Sequence, residues 1–440
     1  MSEQTDYEDR KSLVHLLNSG KKPSEAAQEL HRSRAWGYKW QSRYEQNGWA
    51  GLQSRSRAPK HVPSRTSCEM RQRILHIRSE LEAEAESKDK LGYIGADAIY
   101  GRLRSEGIIS LPAVSTIERL LSQAGKTKPR ASQVEKEVAY PHLKATQPHQ
   151  LTQMDIVPHY LTGGQSIACF NSIDVVSRYP AGKQFANKRS VDAIEFVLHT
   201  WRELGLSTYL QMDNESCFSG GYTHPGVIGK VVRLALYVGV QPVFSPFYHP
   251  ESNAFVERIH QDYSDFVWKK ECLENLAAVR QRSALFFPNY RNSHHHSALH
   301  GLSPTEVHHS FPARNLPHSF SLPNPLPITT GQVHFLRAVD ENRTVLILNK
   351  TWSAGLASPD QGVWATLTLK PNSSILQVFD AVPDAPKRRC LAEHPFPLSE
   401  PVLPLQSQFE IASKQGRLNW WQSIIANIFK RPAFTPSTMS

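Results

Sequence analysis

The chain has 440 residues, too many for one ordinary domain and, as a soft prior, about three. Hydrophobic residues make up 40% and charged residues 20%, the balance of a globular protein rather than a disordered one. No apolar run reaches the ~18 residues of a membrane span, and the N-terminus MSEQTDYEDRKS is polar, which argues against a signal peptide and predicts a cytoplasmic protein without membrane partners. The net charge of +10 and pI near 9.3 favour a polyanionic partner through counterion release. Cys68, Cys169, Cys217, Cys272 and Cys390 are scattered without a C-x-x-C pair, against a disulfide framework or a cysteine-held zinc.

Residues 8–54 carry helical periodicity, with Leu13, Leu16 and Leu17 on one face and Pro23-Ser24-Glu25 opening a second helix. The turn HRSR leads to a third helix bearing Trp36, Trp40 and Tyr44 together with Arg34, Lys39 and Arg43. Two short helices with basic residues crowded on the second predict a DNA-binding helix-turn-helix; a plain three-helix bundle with a solvated basic face is the alternative. The segment 55–67, with Arg55, Arg57 and Lys60 among prolines and serines, reads as an extended basic linker that tracks phosphates or simply tethers. Residues 68–126 repeat the helical pattern and predict a second helix-turn-helix, with Ser115 and Thr116 opening its recognition helix; residues 127–148 form a polar connector.

From residue 149 to 312 the pattern becomes strand-rich. LTQMDIVPHYL, GQSIACFNSIDVV and SRYPAGKQFA read as a three-strand meander, followed by a helix, the short strand STYLQMDN, a helix, the strand QPVFSP and a long helix beginning near Ser252. That order is the order of a ribonuclease-H-like α/β fold. It places Asp155 on the first strand, Asp213 at the end of the fourth and Glu257 on the helix behind them, so that three oxygen donors without cysteine suit Mg²⁺, or Mn²⁺ in its place. Two such ions about 4 Å apart can activate a water or 3′-hydroxyl and stabilise the leaving oxygen of an in-line phosphoryl displacement. Asp174 in NSIDVVSRY reads as a turn residue. The histidines of residues 292–300 cannot all face one ion on a regular element, so they read as packing or substrate contacts.

The segments QMDIV, MDNESCF and PESNAFVER resemble those around the Asp-Asp-Glu triad of the retroviral-integrase and bacterial insertion-sequence transposase superfamily, and YRNSHHHSALHGLSPTEV resembles the segment that follows it. The resemblance implies a multidomain protein with N-terminal all-α helix-turn-helix units, a central ribonuclease-H-like catalytic core and a C-terminal small β-barrel. It implies Asp155, Asp213 and Glu257 as catalytic metal ligands for two Mg²⁺ ions, and Asn253 and Arg258 as DNA contacts beside them. The implied function is a DNA transposase or integrase that cuts element ends and joins them to target DNA, as a homo-oligomer, in the bacterial cytoplasm at the nucleoid. The alternative is a catalytically impaired DNA-binding regulator or targeting subunit. It is motivated by Glu215 and Ala254 where the family has glycine, by His294 and His295 where it has Arg-Pro, and by the 43 residues between Asp213 and Glu257.

Residues 328–396 read as short alternating strands, matching the expected small barrel. The tail 405–440 carries an amphipathic pattern through Leu418, Trp421, Ile425, Ile428 and Phe429. It is a candidate docking element for the protein's own surface, another protomer, an accessory ATPase or a membrane surface.

Overall fold

The structure, a computed structural model, describes residues 3–54, 66–87, 92–127, 140–220, 225–247 and 249–409. Arg55, Arg57 and Lys60 of the basic linker and the tail helix expected after residue 410 lie outside these. The chain divides into two compact units, residues 1–67 and 68–440.

The first unit is helical: α1 (Glu3–Asn18), α2 (Pro23–Glu29) and α3 (Arg34–Asn47), closed by a 3₁₀ turn. Leu13, Val14, Ala26, Trp40 and Leu52 form its small core. Ser33 caps α3 by accepting the Trp36 N–H, satisfying one of the orphan donors of a helix start. Gly37 is required by the close approach of α2 and α3, since a Cβ there would meet the Pro23 carbonyl at 2.5 Å. Arg32 in the α2–α3 turn is held by Asp6 and Asp9 of α1, which fixes the angle of α3.

The second unit begins with α4 (Cys68–Glu86), α5 (Ala96–Ser105) and α6 (Val114–Gln123), packed around Ile74, Ile77, Ile99, Leu103, Ile117 and Leu121. The α/β core follows: β1 (Leu151–Tyr160), β2 (Ser166–Asp174), β3 (Pro180–Phe185), α7 (Ser190–Leu204), β4 (Tyr209–Met212), α8 (Ser216–Ser219), α9 (Lys230–Tyr237), β5 (Gln241–Phe244), α10 (Ala254–Tyr263), α11 (Leu276–Ser293) and α12 (Pro304–His308). The first three strands form an antiparallel meander; β4 pairs parallel to β1 and β5 parallel to β4.

Alternation along the strands serves two cores. Met154, Phe170, Leu210, Met212 and Phe244 face α7 and α9, while Ile167, Cys169 and Ile173 face Val256, Ile259 and Tyr263 of α10 and Phe286 and Phe287 of α11. Both faces of the sheet are thus covered, as parallel strands require.

The C-terminal segment departs from expectation. Its strands β6 (Ile328–Thr329), β7 (Gly331–Ala338), β8 (Thr344–Ile347), β9 (Lys350–Ser353), β10 (Gly362–Lys370), β11 (Ser373–Phe379), β12 (Cys390–Pro395) and β13 (Val402–Leu403) form, but they do not close a small barrel. β7 pairs parallel to β5, Val243 opposite His334 and Phe244 opposite Phe335, so that β7, β10, β11 and β12 extend the core into one open nine-stranded sheet. An unpaired β5 edge would leave backbone donors and acceptors exposed, and the C-terminal strands cover it. Periodicity reports that a strand exists, not which edge it joins.

Candidate metal site and its supporting network

The motif Gln-Met-Asp occurs twice, at 153–155 and at 211–213, and the sheet aligns the two copies. In the parallel pairing of β1 with β4, Gln153 lies opposite Gln211 as the last pair of the ladder; Asp155 follows two residues on along β1 and Asp213 directly after the end of β4, and the Asp213 charge is felt at Asp155. Neighbouring strands are about 4.8 Å apart. Met154 and Met212, both 0% exposed, fill the core on the opposite face, so a one-residue slip of either strand would exchange its carboxylate for a methionine.

The glutamines deliver the third acid. Gln153 donates to the Ser252 carbonyl at 2.9 Å and accepts the Phe255 N–H at 3.2 Å; Gln211 donates to the same carbonyl at 2.7 Å and to Ser245 Oγ at 3.0 Å. Both amides are buried and together grip the turn from which α10 starts. Glu257 sits in the first turn of α10, and α10 packs on β1 and β2.

The carboxylates sense one another. Burial first, then the charges of Asp213, Glu257 and Glu215, push Asp155 up to about 7, against the one N–H of Ile156 that lowers it. Asp213 rises to about 6, again mainly by burial, with the Glu215 charge adding to it. Lys188 is paired with Glu215 at 2.6 Å. A half-buried group of acids that repel one another is a donor set that a hard divalent cation would relieve. His260, one turn beyond Glu257, places Nδ1 3.7 Å from Asp155 Oδ2, and its buried Nε2 has no hydrogen-bond partner among the described residues; burial holds this imidazole down to about 3 and hence neutral.

A tighter cluster lies elsewhere. Among the described residues, His149, Asp174 and His308 form the one group of His, Cys, Asp or Glu side chains whose ligand atoms all lie within 4.8 Å of one another; Asp155, Asp213 and Glu257 do not meet that spacing. The Asp174 carboxylate already accepts from the backbone of His149, Val176 and Ser177 and from Ser177 Oγ. Both His149 Nδ1 and His308 Nε2 meet the Leu204 carbonyl, at 3.0 and 3.1 Å, and His308 Nδ1 meets Ser177 Oγ at 2.9 Å. Among the described residues His149 Nε2 is buried without a hydrogen-bond partner, while the committed atoms pin α12, the β2–β3 turn and the end of α7 together. Asp174 is the turn residue its sequence context suggests.

The sequence departures find local explanations. Ala254 is exposed with φ −52°, and Glu215 has φ −52°; neither position needs a glycine. His294 and His296 stack at 3.8 Å between ring centroids, His294 lies 3.7 Å from Tyr93, and His295 fills the space above Gly101 of α5. These histidines are therefore the seat on which the α4–α6 unit packs. Part of the extension before α9, residues 221–224, lies outside the described residues.

The expected DNA contacts divide. Arg34 and Lys39 are exposed on α3. Arg43 is partly committed, its guanidinium 4.4 Å from the Trp40 ring centre and donating to the Gln53 carbonyl at 3.0 Å. Arg258 is exposed and paired with Asp262 at 3.1 Å. Asn253 is the correction: it is 5% exposed and its Oδ1 accepts from Ser245 Oγ at 2.9 Å, so its side chain holds the turn before α10 and does not face solvent.

Two family models match the chain, a winged helix-turn helix over residues 10–72 and an integrase core domain over residues 238–304. Over those residues the chain is similar to winged helix-turn helix proteins and to integrase cores. Solved structures similar to this chain include the HTLV-2 integrase catalytic core domain in complex with magnesium, 14% identical over 38% of this chain and 100% of that one, TM-score 0.31. Another is a chain of the simian T-cell lymphotropic virus intasome in complex with PP2A regulatory subunit B56 gamma, 15% identical over 74% of this chain and 98% of that one, TM-score 0.33. A third is the BIV integrase catalytic core, 18% identical over 37% and 95%, TM-score 0.28. Among the described residues no helix is long and apolar enough to cross a membrane.

Proposed function

We propose that the protein is a DNA transposase or integrase that cuts element ends and joins their 3′-hydroxyls to target DNA, with Asp155, Asp213 and Glu257 as catalytic metal ligands. The observation that carries the reading is the in-register pair of Gln-Met-Asp motifs, whose glutamines also grip the turn ahead of Glu257. The residues present fit Mg²⁺ or Mn²⁺: carboxylate oxygens, partial burial and mutual repulsion, with no thiolate among them. Two bound ions would supply the charge that activates the attacking oxygen and stabilises the leaving one.

The chain's own groups do the positioning. The β1–β4 register keeps Asp155 and Asp213 side by side, the glutamine pair sets the depth of α10 and with it Glu257, and neutral His260 backs Asp155 without adding charge. Arg34 and Lys39 on α3, with the linker residues Arg55, Arg57 and Lys60, fit phosphate contacts to the element end, and Arg258 fits DNA close to the acids. Pairing two ends implies a homo-oligomer on double-stranded DNA. The regulator alternative remains the second reading: Glu215 and Ala254 sit in backbone conformations open to any residue, which accounts for their backbone but not for activity.

The test is cleavage and strand transfer in vitro on duplexes taken from the DNA flanking the gene, with Mg²⁺ or Mn²⁺. Joined products that vanish in Asp155→Asn and Glu257→Gln support the reading. Activity that survives either substitution, or tight DNA binding with no turnover, overturns it.

A further inference from the structure

Arg337 of β7 is 4% exposed, yet among the described residues no carboxylate neutralises it. Its guanidinium donates to four neutral acceptors: Nε to the Leu346 carbonyl at 3.0 Å, Nη1 to the carbonyls of Ser245 at 2.9 Å and Leu336 at 2.8 Å, and Nη2 to Asn214 Oδ1 at 2.7 Å. Phe247 lies beneath it, 4.5 Å from ring centre to guanidinium carbon. A buried cation held only by neutral acceptors carries a desolvation cost, and two of these acceptors, Ser245 and Asn214, belong to segments that meet at the carboxylates.

Asn214 directly follows Asp213. Its Nδ2 donates to the Ser245 carbonyl at 2.8 Å, so Arg337, Asn214 and Ser245 form a closed ring of hydrogen bonds. Ser245 continues the network: its N–H donates to the Met212 carbonyl at 2.9 Å, its Oγ receives the Gln211 amide and donates to Asn253. One guanidinium therefore ties the loop after Asp213 to the turn ahead of Glu257.

We propose that Arg337 is a positioning residue for the metal site, fixing Asp213 through Asn214 and the α10 turn through Ser245, so that β7 completes a site whose ligands all lie upstream of residue 258. The inference rests on the reading of Asp155, Asp213 and Glu257 as metal ligands. Groups that orient metal ligands from outside the coordination sphere change affinity by about 10- to 100-fold when removed, and Arg337 does so from a segment expected to be a separate domain.

The test uses the full chain and Mn²⁺ as probe, with binding followed by the EPR signal of the free ion and folding by thermal melting without metal. Arg337→Lys keeps the charge but cannot reach Leu346, Ser245 and Asn214 together; Asn214→Ala cuts one link and leaves the guanidinium its backbone acceptors. The expected result is a loss of Mn²⁺ affinity of about 10-fold in each, and a double variant that binds no more weakly than Arg337→Lys alone, since Asn214 lies on one of the routes that Arg337→Lys already cuts. Asn214→Ala should melt within a few degrees of wild type, so its affinity remains readable even if Arg337→Lys fails to fold. Unchanged Mn²⁺ binding in Asn214→Ala, or losses that add in the double variant, overturn the inference while leaving the metal site intact. Wild-type protein that binds no Mn²⁺, or binding that survives Asp155→Asn, overturns the metal-site reading itself.

Discussion

Replacing Asp155 by asparagine should stabilise the metal-free protein while abolishing its chemistry. The ionised carboxylate is held beside Asp213, Glu257 and Glu215 in a partly buried position, and its affinity for a proton rises from an ordinary 3.8 to about 7. The folded state therefore binds a proton that the unfolded state has released between those values, so stability is lost as pH rises through that window and the loss is complete above about 7. At pH 8 the displacement corresponds to at most about 4 kcal/mol. Asparagine removes the charge and keeps an acceptor for the Ile156 N–H, which bonds Asp155 Oδ1 at 2.8 Å. For a unit of this size that upper bound is about 5 °C in Tm. Thermal melts in EDTA at pH 4, 6 and 8 read the effect: the advantage of Asp155→Asn should be near zero at pH 4 and grow toward pH 8. A variant no more stable than wild type at pH 8, or an advantage independent of pH, would refute the electrostatic argument.

Other consequences follow from the same geometry. Apparent Mg²⁺ affinity and strand-transfer rate should climb between pH 6 and 8, as Asp213 near 6 and Asp155 near 7 give up their protons; a flat profile in a metal titration at each pH would count against coupled carboxylates. Gln211→Leu should leave the Ser252 carbonyl short of one donor and Ser245 Oγ without one, costing about 1–3 kcal/mol in denaturant melts and lowering strand transfer further than that loss of folded protein explains; normal activity in the folded fraction would separate the glutamine pair from the site. Truncation after residue 327 should not yield a folded core, because it uncovers the β5 edge and removes Phe335, stacked 5.1 Å from Phe244; a soluble, cooperative melt of that fragment would show the C-terminal strands to be dispensable.

The legibility of this molecule is uneven for physical reasons. The meander, the helix–strand alternation and the order of the acids were readable because strand and helix periods and local motifs are encoded in short windows. The repeated Gln-Met-Asp was visible too, but only the parallel register reveals that the two glutamines act on one carbonyl. Arg337 was illegible: its partners Asn214 and Ser245 lie 123 and 92 residues away, and nothing local distinguishes it from a surface arginine on a β-strand. The barrel expectation failed for the same reason, since alternation in residues 328–396 fixes strand faces but not the β5 edge they join. Asn253 was read as a DNA contact from its place beside Glu257, whereas burial turns its amide inward to Ser245.

The central claim is that the divalent ions sit between Asp155, Asp213 and Glu257 and not in the tighter His149, Asp174 and His308 cluster. Anomalous diffraction from crystals of the full chain soaked in Mn²⁺ tests it directly. The account predicts peaks against the first three carboxylates that disappear in Asp155→Asn, and none at His149. A peak at the histidine cluster with none between the carboxylates would contradict it.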